Sequence, residues 1–313
     1  MTIAQHLTKF AGLPVQQYDF GAKKRARKPC VYRVALEYEA DTTFPELLDH
    51  FLTEYGGKEL TALVLGAWSR DDMLGDAAEL VESLVANRGR MPNLRALFFG
   101  DITYDECEIS WINPGDLSPL LPAFPKLEEF RIRGVGDLTF GRLKHGKLRS
   151  FAIESGGLPA PLLQEVFEAE LPKLEHLELW LGSPGYGGIS IAAPLEPLLS
   201  GKRFRKLKYL GLRNSEITDA VASAAAEAPI LARLAELDLS LGTLGDDGAE
   251  AILKSSAIRK LKKLDLHHHF ISAPFVKELK KLPLEVDISD AKEPNFYTYN
   301  DSTEVMRYNV ASE

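Results

Sequence analysis

The stretch KKLDLHHHFIS, residues 262 to 272, sets His267, His268 and His269 two residues behind Asp265. Imidazole and carboxylate are the donors of zinc sites, and an ion held by three such groups with one open position activates water for hydrolysis. In an extended chain, however, successive side chains leave on opposite faces, so three adjacent histidines point at least two ways. Two readings follow: a metal-dependent enzyme using Asp238, Asp265 and His267, or histidines with separate structural tasks. The register of the strand that carries them decides between the two.

Other chemistry-bearing stretches are weaker. GDITYDECEISWINPGD, residues 100–116, gathers Asp101, Asp105, Glu106, Glu108 and Trp111, but no serine or histidine constellation accompanies its carboxylates. Alternation within it places Cys107, Ile109 and Trp111 on one side, as in a short extra strand packed at an edge. GSPGYGGISIAAP, residues 182–194, is glycine-rich without the spacing of a phosphate-binding loop. Cys30 and Cys107 are the only cysteines, too few for a disulfide scaffold, and read as free thiols of a reducing compartment. No catalytic residue, metal or cofactor is assigned.

The elements that position these groups repeat. The spacing L-x-x-L-x-L recurs as VYRVAL from Val31, LTALVL from Leu60, LRALFF from Leu94, LEEFRI from Leu127 and LRSFAI from Leu148. It continues as LEHLEL from Leu174, LKYLGL from Leu207, LAELDL from Leu234, LKKLDL from Leu261 and a degenerate PLEVDI from Pro283. Starts stand 21 to 34 residues apart, in or near the period of leucine-rich repeats. Positions 4 and 6 of each unit share one face of a short strand and are buried only when neighbours stack. Helical returns lie between: DAAELVESLVANRG shows an apolar face of Leu80, Val81, Leu84 and Val85, and TFPELLDHF opens on Thr43 and Glu46 at capping-box spacing. The expected fold is α/β, a solenoid or horseshoe of about ten repeats with a parallel concave sheet and a helical convex side.

Three regions divide the chain: an N-terminal cap at 1–30, the repeats at 31–290, and a C-terminal cap or tail at 291–313. Phe296, Tyr297, Tyr299 and Tyr308 suit a segment folded back over the last strand; a disordered tail is the alternative. The step from Leu127 to Leu148 is short and GVGDLTFGRLKHGK is glycine-rich, so an irregular return is expected there.

NSEITDAVASAAAEAP and GTLGDDGAEAILKSS resemble repeats of the ribonuclease-inhibitor type. With HLTKFAGLPV, ECEISWI, LEHLELWLGSPGYGG, LGLRNSEITD, LDLSLGTL and LDLHHHF, the chain resembles a family of bacterial leucine-rich repeat proteins with no assigned activity. That resemblance carries over no catalytic residue. It implies partners among the products of neighbouring genes, namely radical-SAM proteins and a hydrolase.

With Leu261 at position 1, Asp265 and His267 occupy positions 5 and 7 on the concave face. His269 takes position 9, where a polar side chain bonds the backbone of the turn, and His268 leaves at the strand edge. Columns of equivalent positions then run along the sheet, about 4.8 Å between rungs. Ala35, Val64 and Phe98 make one end apolar, while Asp238, Asp265 and Asp287 make the other acidic. Like charges on adjacent rungs repel, and Lys263 and Arg213 offset them in part. Trp180, with His176, Glu178, Tyr209 and Arg213 around it, is either an exposed binding anchor or a core residue beneath the 182–194 loop.

The formal charge of −8 and pI near 5.5 argue against wrapping nucleic acid. The start lacks the layout of a secretory signal, and no stretch reaches membrane-spanning length, so a cytoplasmic location is expected. The basic run AKKRARKP, residues 22–29, reads as a solvated loop and is assigned no function. The functional expectation is a non-catalytic scaffold for a protein or basic peptide. It would use the concave face through Phe98, His176, Glu178, Trp180, Tyr209, Arg213, Asp238, Asp265, His267 and Asp287, with rim loops at 100–116 and 182–194.

Overall fold

Leu63, Leu97, Phe130 and Phe151 stand in register on successive parallel strands and are completely buried, as are Leu65, Phe99, Ile132 and Ile153 two residues on. These are positions 4 and 6 of the repeat. Their burial depends on the rung above and below, because a single short strand has no second layer to cover it. The computed structural model describes residues 3–20, 29–37, 41–69, 75–299 and 302–312. The basic run falls outside them apart from Pro29.

The chain forms two compact units, Thr2–Glu154 with Glu168–Leu174, and Ser155–Phe167 with Glu175–Glu313. In the N-terminal unit β1 (Lys9–Phe10) and β2 (Leu13–Gln17) make a hairpin turned at Ala11 and Gly12, both with positive φ. Strand β2 pairs in parallel with β3 (Val31–Val34), followed by β4 (Ala62–Leu65), β5 (Ala96–Phe99), β6 (Glu129–Arg133) and β7 (Ser150–Glu154). Helices α1 (Phe44–Tyr55), α2 (Ala78–Ala86) and α3 (Leu120–Ala123) form returns. Thr43 caps α1 in a reciprocal box with Glu46, satisfying backbone donors that the first turn leaves open. Between β6 and β7 the described return has no helix; it runs through isolated bridges at Thr139 and Lys144.

The first repeat differs in register from the sequence expectation. Tyr32, not Val34, pairs with Leu63, and Arg33, not Ala35, shares the rung of Val64. A slip of two residues preserves which side each residue faces, so alternation alone could not separate the frames. The frame adopted packs the half-buried Tyr32 ring against Phe51 and Tyr55, centroids 5.6 and 4.6 Å away.

In the C-terminal unit α4 (Ala160–Glu168) precedes β8 (His176–Gly182), β9 (Tyr209–Ser215), β10 (Glu236–Asp238), β11 (Lys263–Asp265) and β12 (Glu285–Asp287), parallel neighbours in chain order. Their returns are α5 (Glu196–Leu199), α6 (Thr218–Ala226), α7 (Asp246–Lys254) and α8 (Ala273–Leu279). Leu177, Leu210, Leu237 and Leu264 form the same fully buried ladder. At position 8 the chain turns left-handed: Asn214, Leu241 and His268 have φ of 53°, 67° and 60°.

Residues 309–311 pack along this unit, whereas Phe296, Tyr297 and Tyr308, three of the aromatics expected to cover the last strand, are exposed. Strands β13 (Asn295–Tyr299) and β14 (Ser302–Met306) form a separate hairpin on which Phe296 and Tyr297 are exposed. The segment after it runs along the position 8 turns. Asn309 Nδ2 donates to the Asn214 carbonyl at 3.0 Å, Ala311 N to Asn214 Oδ1 at 2.9 Å, and Val310 N to the Leu241 carbonyl at 2.9 Å. Asn309 and Ala311 are buried because they occupy that groove. No helix among the described residues is long and apolar enough to cross a membrane.

Candidate functional site

In each unit the strands have a face away from their helical returns, formed by positions 3, 5 and 7. In the C-terminal unit this face carries nine of the ten residues expected to bind; the tenth, Phe98, belongs to the N-terminal unit. Glu178 is the hub of the first rungs. Its Oε1 accepts from Trp180 Nε1 at 2.8 Å and from Arg213 NH1 at 2.8 Å, and the guanidinium lies 5.6 Å from the Trp180 ring centre. Arg213 Nε also stands 3.2 Å from Asp238 Oδ2, the oxygen that accepts from the Tyr209 hydroxyl at 2.7 Å. Gly211 makes this collapse possible, since a Cβ there would meet the Tyr209 hydroxyl at 2.9 Å and Arg213 Cδ at 3.3 Å.

The reading of Trp180 as an exposed anchor is therefore corrected. The side chain lies on the face predicted for position 7, yet it is 6% exposed because Arg213 covers the ring and Glu178 takes its N–H. Glu178 and Asp238 are buried too, paired with the same guanidinium. Burial, and the charges of Asp238 and Glu178, push the Tyr209 phenol far above its ordinary range. What remains accessible is His176, stacked on Tyr209 with centroids 3.8 Å apart, its side chain 34% exposed.

Further along the face, Lys263 Nζ bridges Glu236 at 2.8 Å and Asp265 at 3.2 Å, and its hydrogen bond to Glu236 is the main reason its pKa is raised. His267 Nδ1 lies 2.6 Å from Asp265 Oδ1, which also accepts from the His267 backbone N–H. Burial works against ionisation of Asp265, but the His267 hydrogen bonds outweigh it and hold the carboxyl at about 2. The same pairing raises the imidazole of His267. Asp287 accepts from the backbone N–H and hydroxyl of Ser289 at 3.0 and 2.7 Å.

The three histidines go three ways. His267 is on the open face. His268 sits beneath the C-terminal segment, with Nε2 3.2 Å from the Tyr308 carbonyl and Nδ1 3.3 Å from Asp290. His269 is fully buried: Nδ1 accepts from Ile271 N at 3.1 Å and Nε2 donates to the Ile288 carbonyl at 3.1 Å, with burial lowering its pKa. His145 bonds the backbone in the same manner, through Leu148 N and the Phe124 carbonyl.

Phe98 is corrected as well. It is completely buried on the open face of the N-terminal unit, where Phe10 covers it with ring centres 6.1 Å apart. Phe10, Val31, Val64 and Phe98 belong to one apolar cluster on which Leu7, Leu13 and Val15 pack. The chain thus fills its own apolar columns. Beside that cluster lies a buried charge network that the sequence columns did not show. Arg33 donates to the Asp101 carbonyl at 2.7 Å and to Glu106 at 3.0 Å, and Arg133 to Glu154 at 2.7 Å. The fully buried Asp101 carboxylate also takes Leu7 N at 3.3 Å, tying down the N-terminal segment. Its signal was Arg33 on the open face, and the two-residue slip moved it to the rung of Val64.

In the 100–116 loop Cys107 and Ile109 are buried as expected, but Trp111 is 54% exposed. Residues Ile109–Trp111 form a single helical turn instead of a strand, so the two-residue alternation that would pack Trp111 with Cys107 does not apply.

Parallel strands with buried leucine positions and helical returns define an α/β protein of the leucine-rich repeat class. No family model and no curated protein matches the chain. Among solved structures it is similar to a Bacteroides fragilis protein from a structural genomics programme, at 34% identity and TM-score 0.78 over 83% of this chain and 74% of that one. The chain belongs to the family of that protein. It also aligns with an internalin from Listeria monocytogenes, at 18% identity and TM-score 0.37 over 75% of this chain and 55% of that one.

Proposed function

We propose that the protein is a cytoplasmic, non-catalytic scaffold of about ten leucine-rich repeats that binds a protein or basic peptide. The observation that carries this reading is the half-exposed polar row on the open face of β8 to β12. His176, Lys263 and His267 have side chains 34%, 30% and 28% exposed, and Asp287 has no cationic partner among the described residues. Side chains anchored on strands are ordered before a partner arrives, so little entropy is lost on binding. Loop 182–194 borders this face, and Trp111 and Tyr104 on loop 100–116 give the N-terminal unit an aromatic contact surface of its own. The products of neighbouring genes are the first partners to test.

The enzyme alternative at Asp238, Asp265 and His267 is disfavoured because Asp238 is engaged by Tyr209, Arg213 and the backbone of Ser240. The scaffold reading is tested by fluorescence anisotropy with an Arg/Lys-rich peptide bearing an aromatic anchor and with its acidic counterpart. The basic peptide binds, duplex DNA does not compete, and Asp287→Lys slows association and flattens its salt dependence. Equal binding of the acidic peptide would overturn the reading.

A further inference from the structure

Carboxylates on neighbouring rungs are expensive unless a positive charge separates them. The register sets Asp238, Asp265 and Asp287 side by side on β10, β11 and β12. Arg213 neutralises Asp238, and Lys263 serves Asp265 while also serving Glu236. Among the described residues Asp287 is held only by the amide and hydroxyl of Ser289, and Glu285 lies beside Lys263 on the same rungs. This end of the face is therefore short of positive charge among the described residues. One donor atom each from Asp265, His267 and Asp287 converges there, all within 4.8 Å of one another.

We propose that Asp265, His267 and Asp287 form a site for a first-row divalent cation, with Zn2+ the best match. The site differs from the set suggested by the sequence in exchanging Asp238 for Asp287. Imidazole together with carboxylate favours zinc over magnesium or calcium, which select all-oxygen ligands. Zinc donors lie at about 2.0–2.2 Å from the ion, which sets tetrahedral donors about 3.3–3.6 Å apart, so the three groups, now within 4.8 Å of one another, must draw in while the 2.6 Å Asp265–His267 contact opens. His267 and Asp287 are partly exposed and free to do so. Asp265 Oδ1 and His267 Nδ1 are already paired at 2.6 Å, and a cation bound by both takes the place of the proton between them. Three protein donors leave a coordination position for water or for a side chain of a bound partner. His268 and His269 take no part, since both ring nitrogens of each are engaged elsewhere.

This inference does not rest on the scaffold reading, and its test needs no partner. The untagged full-length chain, stripped by chelator, is titrated with Zn2+ in competition with a chromophoric chelator, in parallel with His267→Ala, Asp287→Asn and the control His50→Gln, which lies in the other unit. One equivalent of Zn2+ binds the wild type and the control, and each site variant loses at least about tenfold in affinity. Saturating Zn2+ also raises the unfolding temperature of the wild type but not of His267→Ala. Asp287→Asn, whose side-chain hydrogen bonds among the described residues go to Ser289 alone, keeps the test decisive should His267→Ala fold poorly. Absence of saturable binding, or equal affinity in wild type and both site variants, would overturn the proposal.

Discussion

The indole N–H of Trp180 donates to Glu178 Oε1 at 2.8 Å, and Arg213 binds that same oxygen while covering the ring. A tryptophan in this position holds a buried carboxylate in place and screens it from water. Trp180→Ala removes both the packing and the donor, and truncation of a buried tryptophan costs about 3–5 kcal/mol. Denaturant unfolding followed by circular dichroism should show that loss, with Trp180→Phe recovering much of it. Wild-type stability in Trp180→Ala would mean that the indole is not part of the core.

Phe10 closes the apolar column over Phe98 and Val64. Phe10→Ala should destabilise the protein by about 3 kcal/mol or more, and should expose apolar surface to a hydrophobic dye under native conditions. Unchanged dye fluorescence and an unchanged unfolding midpoint would show that the N-terminal hairpin is not the cover of this face.

Asn214 combines a left-handed backbone with hydrogen bonds to Asn309 and Ala311. Asn214→Gly keeps the backbone conformation and loses the side-chain bonds, whereas Asn214→Ala loses both. Leaving the buried N–H of Ala311 without its acceptor costs about 1–3 kcal/mol, and the backbone adds to that in the alanine variant. Limited proteolysis should cut the C-terminal segment faster in both, and fastest in Asn214→Ala. Equal cleavage of all three proteins would separate the segment from this anchor.

The Asp265–His267 pair contributes within a window of pH. The folded-state pKa of His267 is raised above 6.5, so its contribution is complete below 6.5 and disappears as pH rises through the folded value. The folded-state pKa of Asp265 is lowered from 3.8 to about 2, so its contribution is present above 3.8 and fades as pH falls toward 2. Lys263 and Arg213, whose pKa values are both raised by their carboxylate partners, keep their charges across that window. With chelator present, the stability gap between wild type and His267→Gln should be larger near about pH 5.5 than near about pH 9. A gap that is constant or grows with pH would contradict the assignment.

The L-x-x-L-x-L spacing was enough to place Leu63, Leu97, Phe130, Leu177, Leu210, Leu237 and Leu264 in the core, because a two-residue alternation and a fixed repeat leave each leucine one way to face. It also placed His267 on the open face and His269 in the turn, since both follow from counting along one strand. The same counting could not resolve β3, where Tyr32 and Val34 suit either frame and only packing against Phe51 and Tyr55 chose one. Nor could it show what covers a face. Burial of Phe98 by Phe10 and of Trp180 by Arg213, and the seating of Asn309 on Asn214, join residues far apart in the chain. Trp111 lies in the light for the converse reason: a single helical turn replaced the expected strand, and with it the periodicity that would have buried the ring. Local pattern determines which way a side chain points; only the assembled tertiary structure determines what it meets there.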